Sequence, residues 1–214
     1  MSYGNERDVE VPAVVEFVKR RIPQSGRAAP NLLDVGGHGS HATYAPLIRP
    51  LIRRRRYEAI DIIYDPLTKT VVDEWYTADF MKWSVPLGRF DAVTCVSVIE
   101  HVGIKPWRSD TWREERLLMF FSLLRIARAA VFITAPFGKG AVVNEYACVS
   151  PEELATWSTI AGLLGFQGTA RYYMGESPQY GPWREVPYAE ACQRGGVPAG
   201  ATQFCVMILE MLRP

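Results

Sequence analysis

A short glycine-rich loop is the first feature of the sequence with clear chemical potential. It reads Asp34-Val35-Gly36-Gly37-His38-Gly39 and follows an apolar segment. Glycine has no Cβ atom, so the backbone of such a loop can approach a ligand closely, and N–H groups at the start of a following helix attract anions. The loop is therefore predicted to bind a cofactor.

Two cofactors fit the residues of this loop. Spaced as Gly37-x-Gly39-x-x-Ala42, it matches the fingerprint of dinucleotide-binding proteins, and Asp61 lies about 20 residues further on, where an acid would hold a ribose. Spaced as Asp34-x-Gly36, it is compatible with a different nucleoside cofactor. The loop alone does not separate the two.

Glu100 and His101 form a second group with catalytic potential, directly after the apolar segment Phe90–Ser97. Histidine titrates near neutral pH, so His101 could accept a proton from a hydroxyl group. Glu100 would orient His101 or the substrate. This pair is the candidate catalytic machinery.

The spacing of apolar residues predicts the elements that must position these groups. Strands are expected at Asn31–Val35, Tyr57–Ile63, Val71–Thr77, Phe90–Ser97, Ala130–Ala135, Thr169–Met174 and Gln203–Met211. Helices are expected at Val11–Arg21, from Ser40 to about Arg53 with interruptions at Pro46 and Pro50, at Trp112–Arg128, and from Ser150 to a stop at Gly165.

This alternation predicts an α/β fold: a Rossmann-like, seven-stranded, mostly parallel sheet with an antiparallel last strand and helices on both faces. We expect one domain over residues 1–214, with an N-terminal helix within residues 1–25. Because ligands bind at the carboxyl ends of such strands, residues 105–112 and 172–200 are expected to be loops that cover the substrate.

Composition limits the classes of function. Lys and Arg number 24 against 23 Asp and Glu, so the net charge of +1 excludes a strongly basic nucleic-acid-binding protein. No apolar stretch approaches the roughly 20 residues of a membrane helix, and the start MSYGNERDVE does not resemble a secretory signal. We expect a cytoplasmic protein without membrane contact. Four widely spaced cysteines predict neither zinc binding nor disulfides.

Three further segments carry a family resemblance. Tyr57–Asp61 resembles a strand whose terminal acid holds both ribose hydroxyls, and Ala78-Asp79-Phe80 resembles an acid-aromatic step beside an adenine. Phe90–Val102, with its Glu-His pair, is the most specific match. Together with the glycine loop, these segments resemble class I S-adenosylmethionine-dependent methyltransferases over Asn31 to Pro136. A nicotinamide enzyme would explain none of the three.

The resemblance implies S-adenosylmethionine as the cofactor and Glu100 and His101 as catalytic residues. The cofactor contacts that it implies are Asp34, Gly36, Gly37, His38, Gly39, Asp61, Ile62, Asp79, Phe80 and Ser97. His38 and Ser40 depart from the family pattern, because they stand where the second and third loop glycines are usual. Residues Thr134–Lys139 and the Tyr- and Trp-rich tail resemble an uncharacterised bacterial subgroup that acts on small molecules or glycans.

The expected reaction is O-methylation of a small polar acceptor such as a sugar, a nucleotide-sugar or a phenolic metabolite. One alternative is an RNA 2′-O-methyltransferase, but Ser97 replaces the first acid of the Glu-x-x-Glu-His signature and no histidine follows His101. With so few ligands, no bound metal is expected. A second alternative is a non-catalytic S-adenosylmethionine-binding protein. Exposed aromatic residues would also suit a homodimer interface.

Overall fold

A twisted sheet forms the centre of the molecule. The computed structural model describes residues 6–22, 31–52, 55–104, 110–139, 142–143, 146–175, 182–195 and 204–214. Among these residues, eight strands join in the order β3-β2-β1-β4-β5-β10-β8-β9. The strands are β1 (Leu32–Val35), β2 (Tyr57–Asp61), β3 (Glu74–Thr77), β4 (Phe90–Val96), β5 (Ala127–Pro136), β8 (Gln167–Gly175), β9 (Arg184–Val186) and β10 (Phe204–Leu212), and a separate ribbon contains β6 (Val142–Val143) and β7 (Tyr146–Ala147).

The five strands from β1 to β5 pair in parallel, whereas β10 is antiparallel to both β5 and β8. The predicted mostly parallel α/β sheet with an antiparallel last strand is therefore confirmed. The strand number differs, because β9 adds an eighth strand antiparallel to β8 at the edge. This strand is only three residues long, too short to produce a readable alternation of polar and apolar residues.

Helices cover both faces of the sheet. The helices are α1 (Arg7–Arg21), α2 (Ala45–Ile48), α3 (Pro66–Lys69), α4 (Trp112–Ile126), α5 (Pro151–Leu163) and α6 (Tyr188–Arg194), and short 3-10 turns lie at Ser40–Ala42, Phe80–Lys82 and Ile99–His101. One apolar core joins α1 and α2 to one face, and a larger core joins α4 and α5 to the other. Strand β4 is buried throughout, as expected for a central strand covered on both sides.

Two predictions need correction. The interrupted helix expected from Ser40 to about Arg53 is shorter than predicted: it is a 3-10 turn followed by the four-residue α2, which has Pro46 in its first turn and ends before Pro50. Residues 172–200 are not a continuous loop, since they include the end of β8, all of β9 and α6. Residues 105–109, 176–181 and 196–200 of the two expected lids lie outside the described residues.

Parallel pairing brings the carboxyl ends of β1, β2 and β4 to one edge of the sheet. Asp34 on β1 lies opposite Ala59 on β2 and Thr94 on β4. The glycine loop and the segment that contains Glu100 therefore start side by side. Within the described residues, no helix combines the length and the apolar character that crossing a membrane requires.

Candidate functional site

The glycine loop makes a sharp turn at the end of β1. Gly36 has a φ of +78°, and its N–H donates a 2.8 Å hydrogen bond to the Ile60 carbonyl. A Cβ atom at Gly36 would overlap the Val98 side chain, so both backbone conformation and space require glycine there. Gly39 also has a φ of +78°, but an added Cβ would meet no atom within 4 Å. The space beside Gly39 is open to a ligand.

Asp34 lies beneath this loop, fully buried. Its carboxyl group accepts hydrogen bonds from the Thr94 hydroxyl at 2.9 Å, from the Tyr44 hydroxyl at 3.1 Å and from the Tyr57 hydroxyl at 3.3 Å. Burial raises the pKa of Asp34 to about 7, although the three hydroxyl donors favour its charged form. Asp34 thus ties the loop to β2, β4 and the segment before α2.

Asp61, at the end of β2, holds the loop from the opposite side. Its carboxylate accepts the backbone N–H of His38 at 3.1 Å and that of Ile63 at 3.0 Å. The side chain is only partly buried. Since each carboxylate oxygen accepts more than one hydrogen bond, Asp61 can still accept hydroxyl groups of a ligand.

A second acid, Asp65, also fixes the loop and was not predicted. It accepts the Gly39 N–H at 2.8 Å and lies 3.1 Å from the Nδ1 atom of His41. Burial opposes the charge of Asp65, but hydrogen bonds from Gly39 and Thr68 hold the pKa of the carboxyl well below its usual range. The one sequence signal for this role is the Asp-Pro pair that opens α3, where Asp65 caps the helix.

An exposed apolar strip continues from Asp61. Ile62 is 70% exposed, and Ile63 and Tyr64 are each more than half exposed. Three neighbouring large apolar side chains in water are unusual unless a ligand or partner contacts them. On the adjacent strand end, Asp79 caps a 3-10 turn by accepting the Met81 N–H at 3.0 Å, and Phe80 is half-buried.

Glu100 and His101 lie together on the 3-10 turn after β4. Glu100 is buried, and within the described residues its Oε2 atom has no hydrogen-bond partner. Burial raises the pKa of Glu100 well above its usual range, and the nearby carboxyl groups of Glu10 and Glu6 raise it further. The Glu100 carboxyl therefore faces helix α1, whereas His101 is partly exposed.

Helix α1 reaches the same edge through Glu10, which is 1% exposed. The Oε1 atom of Glu10 accepts the Ser97 hydroxyl at 2.7 Å and the Thr134 hydroxyl at 2.6 Å. Its Oε2 atom accepts Arg7 at 2.7 Å. Ser97 has a φ of +52°, uncommon for a residue with a side chain. The hydroxyl of this predicted cofactor residue is thus engaged by an acid that the sequence analysis missed.

A signal for Glu10 exists in the sequence. Glu10 precedes Val14 by four residues and Phe17 by seven, so it belongs to the apolar stripe of α1. An acid on such a stripe must find partners when the stripe is buried. The predicted helix began at Val11, which left both Arg7 and Glu10 outside it.

A small cavity of about 150 Å³ lies between the glycine loop and α1. Its lining consists of Arg7, Gly36, His38, Gly39, Ser40, Thr43, Tyr44, Val96 and Ser97. A larger groove of about 790 Å³ runs along α1 over β8 and β10, lined by residues such as Arg171 and Trp183. None of the predicted cofactor residues lines the groove, so the small cavity is the better candidate for the functional site.

The structure thus gathers the predicted residues at one edge. The cavity is lined by the predicted residues Gly36, His38, Gly39 and Ser97. Asp61 accepts the His38 N–H and so holds the same loop from the side opposite Asp34. Asp34 is fully buried under the loop and is closed to solvent. In the described part of the chain, no three His, Cys, Asp or Glu side chains form a group that could hold a metal ion.

This architecture is the Rossmann-like fold of S-adenosylmethionine-dependent methyltransferases. No family model matches the sequence, and no curated protein matches it significantly. Among solved structures, the magnesium protoporphyrin IX methyltransferase ChlM of Synechocystis PCC 6803 with bound S-adenosylhomocysteine is similar, with a TM-score of 0.57 and 14% identity over 97% of this chain and 83% of that chain.

Two other similar structures have different activities. The 1,6-didemethyltoxoflavin-N1-methyltransferase of Burkholderia thailandensis gives a TM-score of 0.54 and 12% identity over 94% of this chain and 79% of that chain. The [4+2]-cyclase SpnF gives a TM-score of 0.57 and 14% identity over 94% of this chain and 80% of that chain. At these identities the similarity establishes the fold, and the chemistry has to be argued from the site.

Proposed function

We propose that this protein is an enzyme that transfers a methyl group from S-adenosylmethionine to a small polar acceptor. The observation that carries the proposal is the glycine loop at the carboxyl edge, with an accessible acid, Asp61, on one side and a polar cavity on the other. Both sides of the loop suit a nucleoside with an amino-acid substituent. That similar folds were crystallised with S-adenosylmethionine or S-adenosylhomocysteine supports the assignment.

The residues around the loop fit the two parts of this cofactor. Asp61 is partly exposed at a strand end and can accept the two ribose hydroxyls. The exposed side chain of Ile62 next to it and the half-buried Phe80 suit contact with a flat adenine, and Asp79, next to Phe80 in the chain, is our candidate to accept a hydrogen bond from its amino group. The open space beside Gly39 leaves room for the methionine part of the cofactor.

When bound, S-adenosylmethionine supplies a methyl group that is already activated by its sulfonium charge. The protein then has mainly to align the acceptor, because holding two reactants in line removes much of the barrier. His101, partly exposed on the turn after β4, is our candidate to take the proton of an acceptor hydroxyl. The buried Glu100 is our candidate for orienting the segment that carries His101.

For the acceptor, we favour a sugar, a nucleotide-sugar or a phenolic metabolite, and O-methylation as the reaction. The net charge of +1 argues against RNA, because phosphate binding requires a concentration of positive charge. Two of the similar methyltransferases are named for small-molecule acceptors, a didemethyltoxoflavin and a porphyrin, which supports a small-molecule acceptor here. A cytoplasmic location and a possible homodimer remain part of the proposal.

Calorimetric titration tests the cofactor assignment. We expect micromolar binding of S-adenosylmethionine and S-adenosylhomocysteine, no binding of NAD, and at least about tenfold weaker binding after Asp61→Ala. Glu114→Ala, an exposed acid on α4, is the matched control and should bind normally. Binding of NAD alone would overturn the proposal in favour of an oxidoreductase.

A second variant separates catalysis from binding. His101→Ala should lower turnover by about 100-fold, measured as methylated product formed from a pool of candidate acceptors. The Kd for S-adenosylhomocysteine should stay within a factor of two. Equal turnover of both proteins across pH 6–9 contradicts a proton-accepting role. Tight cofactor binding without product from any pool supports the non-catalytic alternative, and methylated RNA supports the RNA enzyme.

A further inference from the structure

The N-terminal turn of α1 contributes a positive charge to the cavity beside the glycine loop. Arg7 lines this cavity together with Gly39 and Ser97. Arginine remains charged at any physiological pH and offers several N–H donors in one plane. A guanidinium group in such a place favours an anionic ligand with two oxygens, such as a carboxylate.

The guanidinium is held in place by Glu10. The ion pair between Arg7 and Glu10 measures 2.7 Å and spans three residues of the helix. Glu10 itself is buried and fixed to the sheet by the hydroxyl groups of Ser97 and Thr134. Arg7 is therefore connected to the ends of β4 and β5 through one carboxylate, which positions it more firmly than an arginine at a helix terminus in solvent.

The size of the cavity restricts what it can hold. At about 150 Å³ it is smaller than the roughly 300 Å³ at which pockets for whole ligands begin. It can therefore hold only one end of a nucleoside cofactor. Asp61 and Ile62, which suit the ribose and adenine, do not line it, so the cavity is left for the amino-acid end.

From this arrangement we infer that Arg7 binds the α-carboxylate of the cofactor and that Glu10 is its positioning residue. The inference rests on the proposed function, because it assigns a part of S-adenosylmethionine to this cavity. It makes helix α1 a wall of the cofactor site. Because the recognition is between opposite charges, removing the carboxylate of the ligand and removing the guanidinium of Arg7 should lower the affinity to the same extent.

The test removes each partner in turn. Calorimetry compares S-adenosylmethionine with decarboxylated S-adenosylmethionine, which lacks only the carboxylate, on the wild-type protein and on Arg7→Ala. We expect the wild-type protein to bind the decarboxylated ligand about 30-fold more weakly, and Arg7→Ala to bind both ligands within about threefold of each other. Glu10→Gln should show an intermediate preference, and Arg7→Lys should retain part of it.

Lys19→Ala is the matched control, because Lys19 is an exposed cation on the same helix. It should keep the wild-type preference for the carboxylate. A 30-fold preference that survives in Arg7→Ala overturns the role of Arg7. Equal loss of affinity for both ligands in a folded Arg7→Ala protein also overturns it, because a merely structural role does not distinguish the ligands. If the wild-type protein binds no sulfur nucleoside at all, the proposed function itself fails.

Discussion

Two buried carboxyl groups lie at neighbouring strand ends, and their surroundings differ. Asp34 on β1 accepts hydrogen bonds from three hydroxyl groups and has no exposure to solvent. Glu100 after β4 is also buried, but among the residues that the structure describes one of its oxygens has no hydrogen-bond partner. In the described parts of the chain, both oxygens of Asp34 are thus hydrogen-bonded, whereas one oxygen of Glu100 is not.

This difference in hydrogen bonding distinguishes a structural region from the region that we propose as the functional site. A fully hydrogen-bonded buried acid rigidifies its surroundings, and here it fixes the glycine loop. A buried acid with an unpaired oxygen costs stability, which proteins tolerate mainly where a ligand or a reaction uses the group. We therefore assign rigidity to the region around Asp34, and we propose that the region around Glu100, with α1 beside it, supplies the groups available for chemistry.

The largest expected effect comes from the loop that Asp34 supports. Gly36→Ala should lower the free energy of unfolding by about 3 kcal/mol, because it combines an unfavourable φ with overlap at Val98. Gly39→Ala, at the same φ but in open space, should cost only about 1 kcal/mol. Urea denaturation measures both. Equal losses would show that the Val98 contact is unimportant.

The next effect concerns the charge of Asp34. With a pKa of about 7 in the folded protein, above that of an unfolded aspartate, its contribution to stability is complete below about pH 4 and is lost as pH rises through 7. Between pH 5 and 8, wild-type stability should therefore fall by about 2 kcal/mol more than that of Asp34→Asn. Parallel curves of unfolding free energy against pH would contradict a protonated Asp34.

The smallest expected effect is at Glu100. Its pKa is raised by burial, so its contribution is also lost as pH rises, and Glu100→Gln should be more stable than wild type at pH 8 by at least about 1 kcal/mol. The advantage should shrink at pH 5. Glu114→Gln, at an exposed site, should change stability at neither pH. Destabilisation by Glu100→Gln at pH 8 would mean that Glu100 is charged and well paired, which would remove the contrast with Asp34.

The sequence by itself determined the order of seven strands and of helices α1, α4 and α5, because apolar periodicity, prolines and glycines act locally. From the sequence it was possible to predict the parallel sheet with its antiparallel last strand and the loop at Gly36. It was also possible to predict that Asp61, Glu100 and His101 lie at one edge of the sheet. The shared edge follows from the rule that strand carboxyl ends meet in a parallel sheet.

The tertiary structure alone decided which of these groups are closed off and which face a cavity. No local pattern shows that Tyr44, Tyr57 and Thr94 all donate to Asp34, since they lie 10, 23 and 60 residues away from it. The link from Glu10 to Thr134 spans 124 residues. The Glu10 contact arises from packing of α1 on the sheet. It places Arg7 beside the glycine loop, because a buried carboxylate must find partners where the fold provides them.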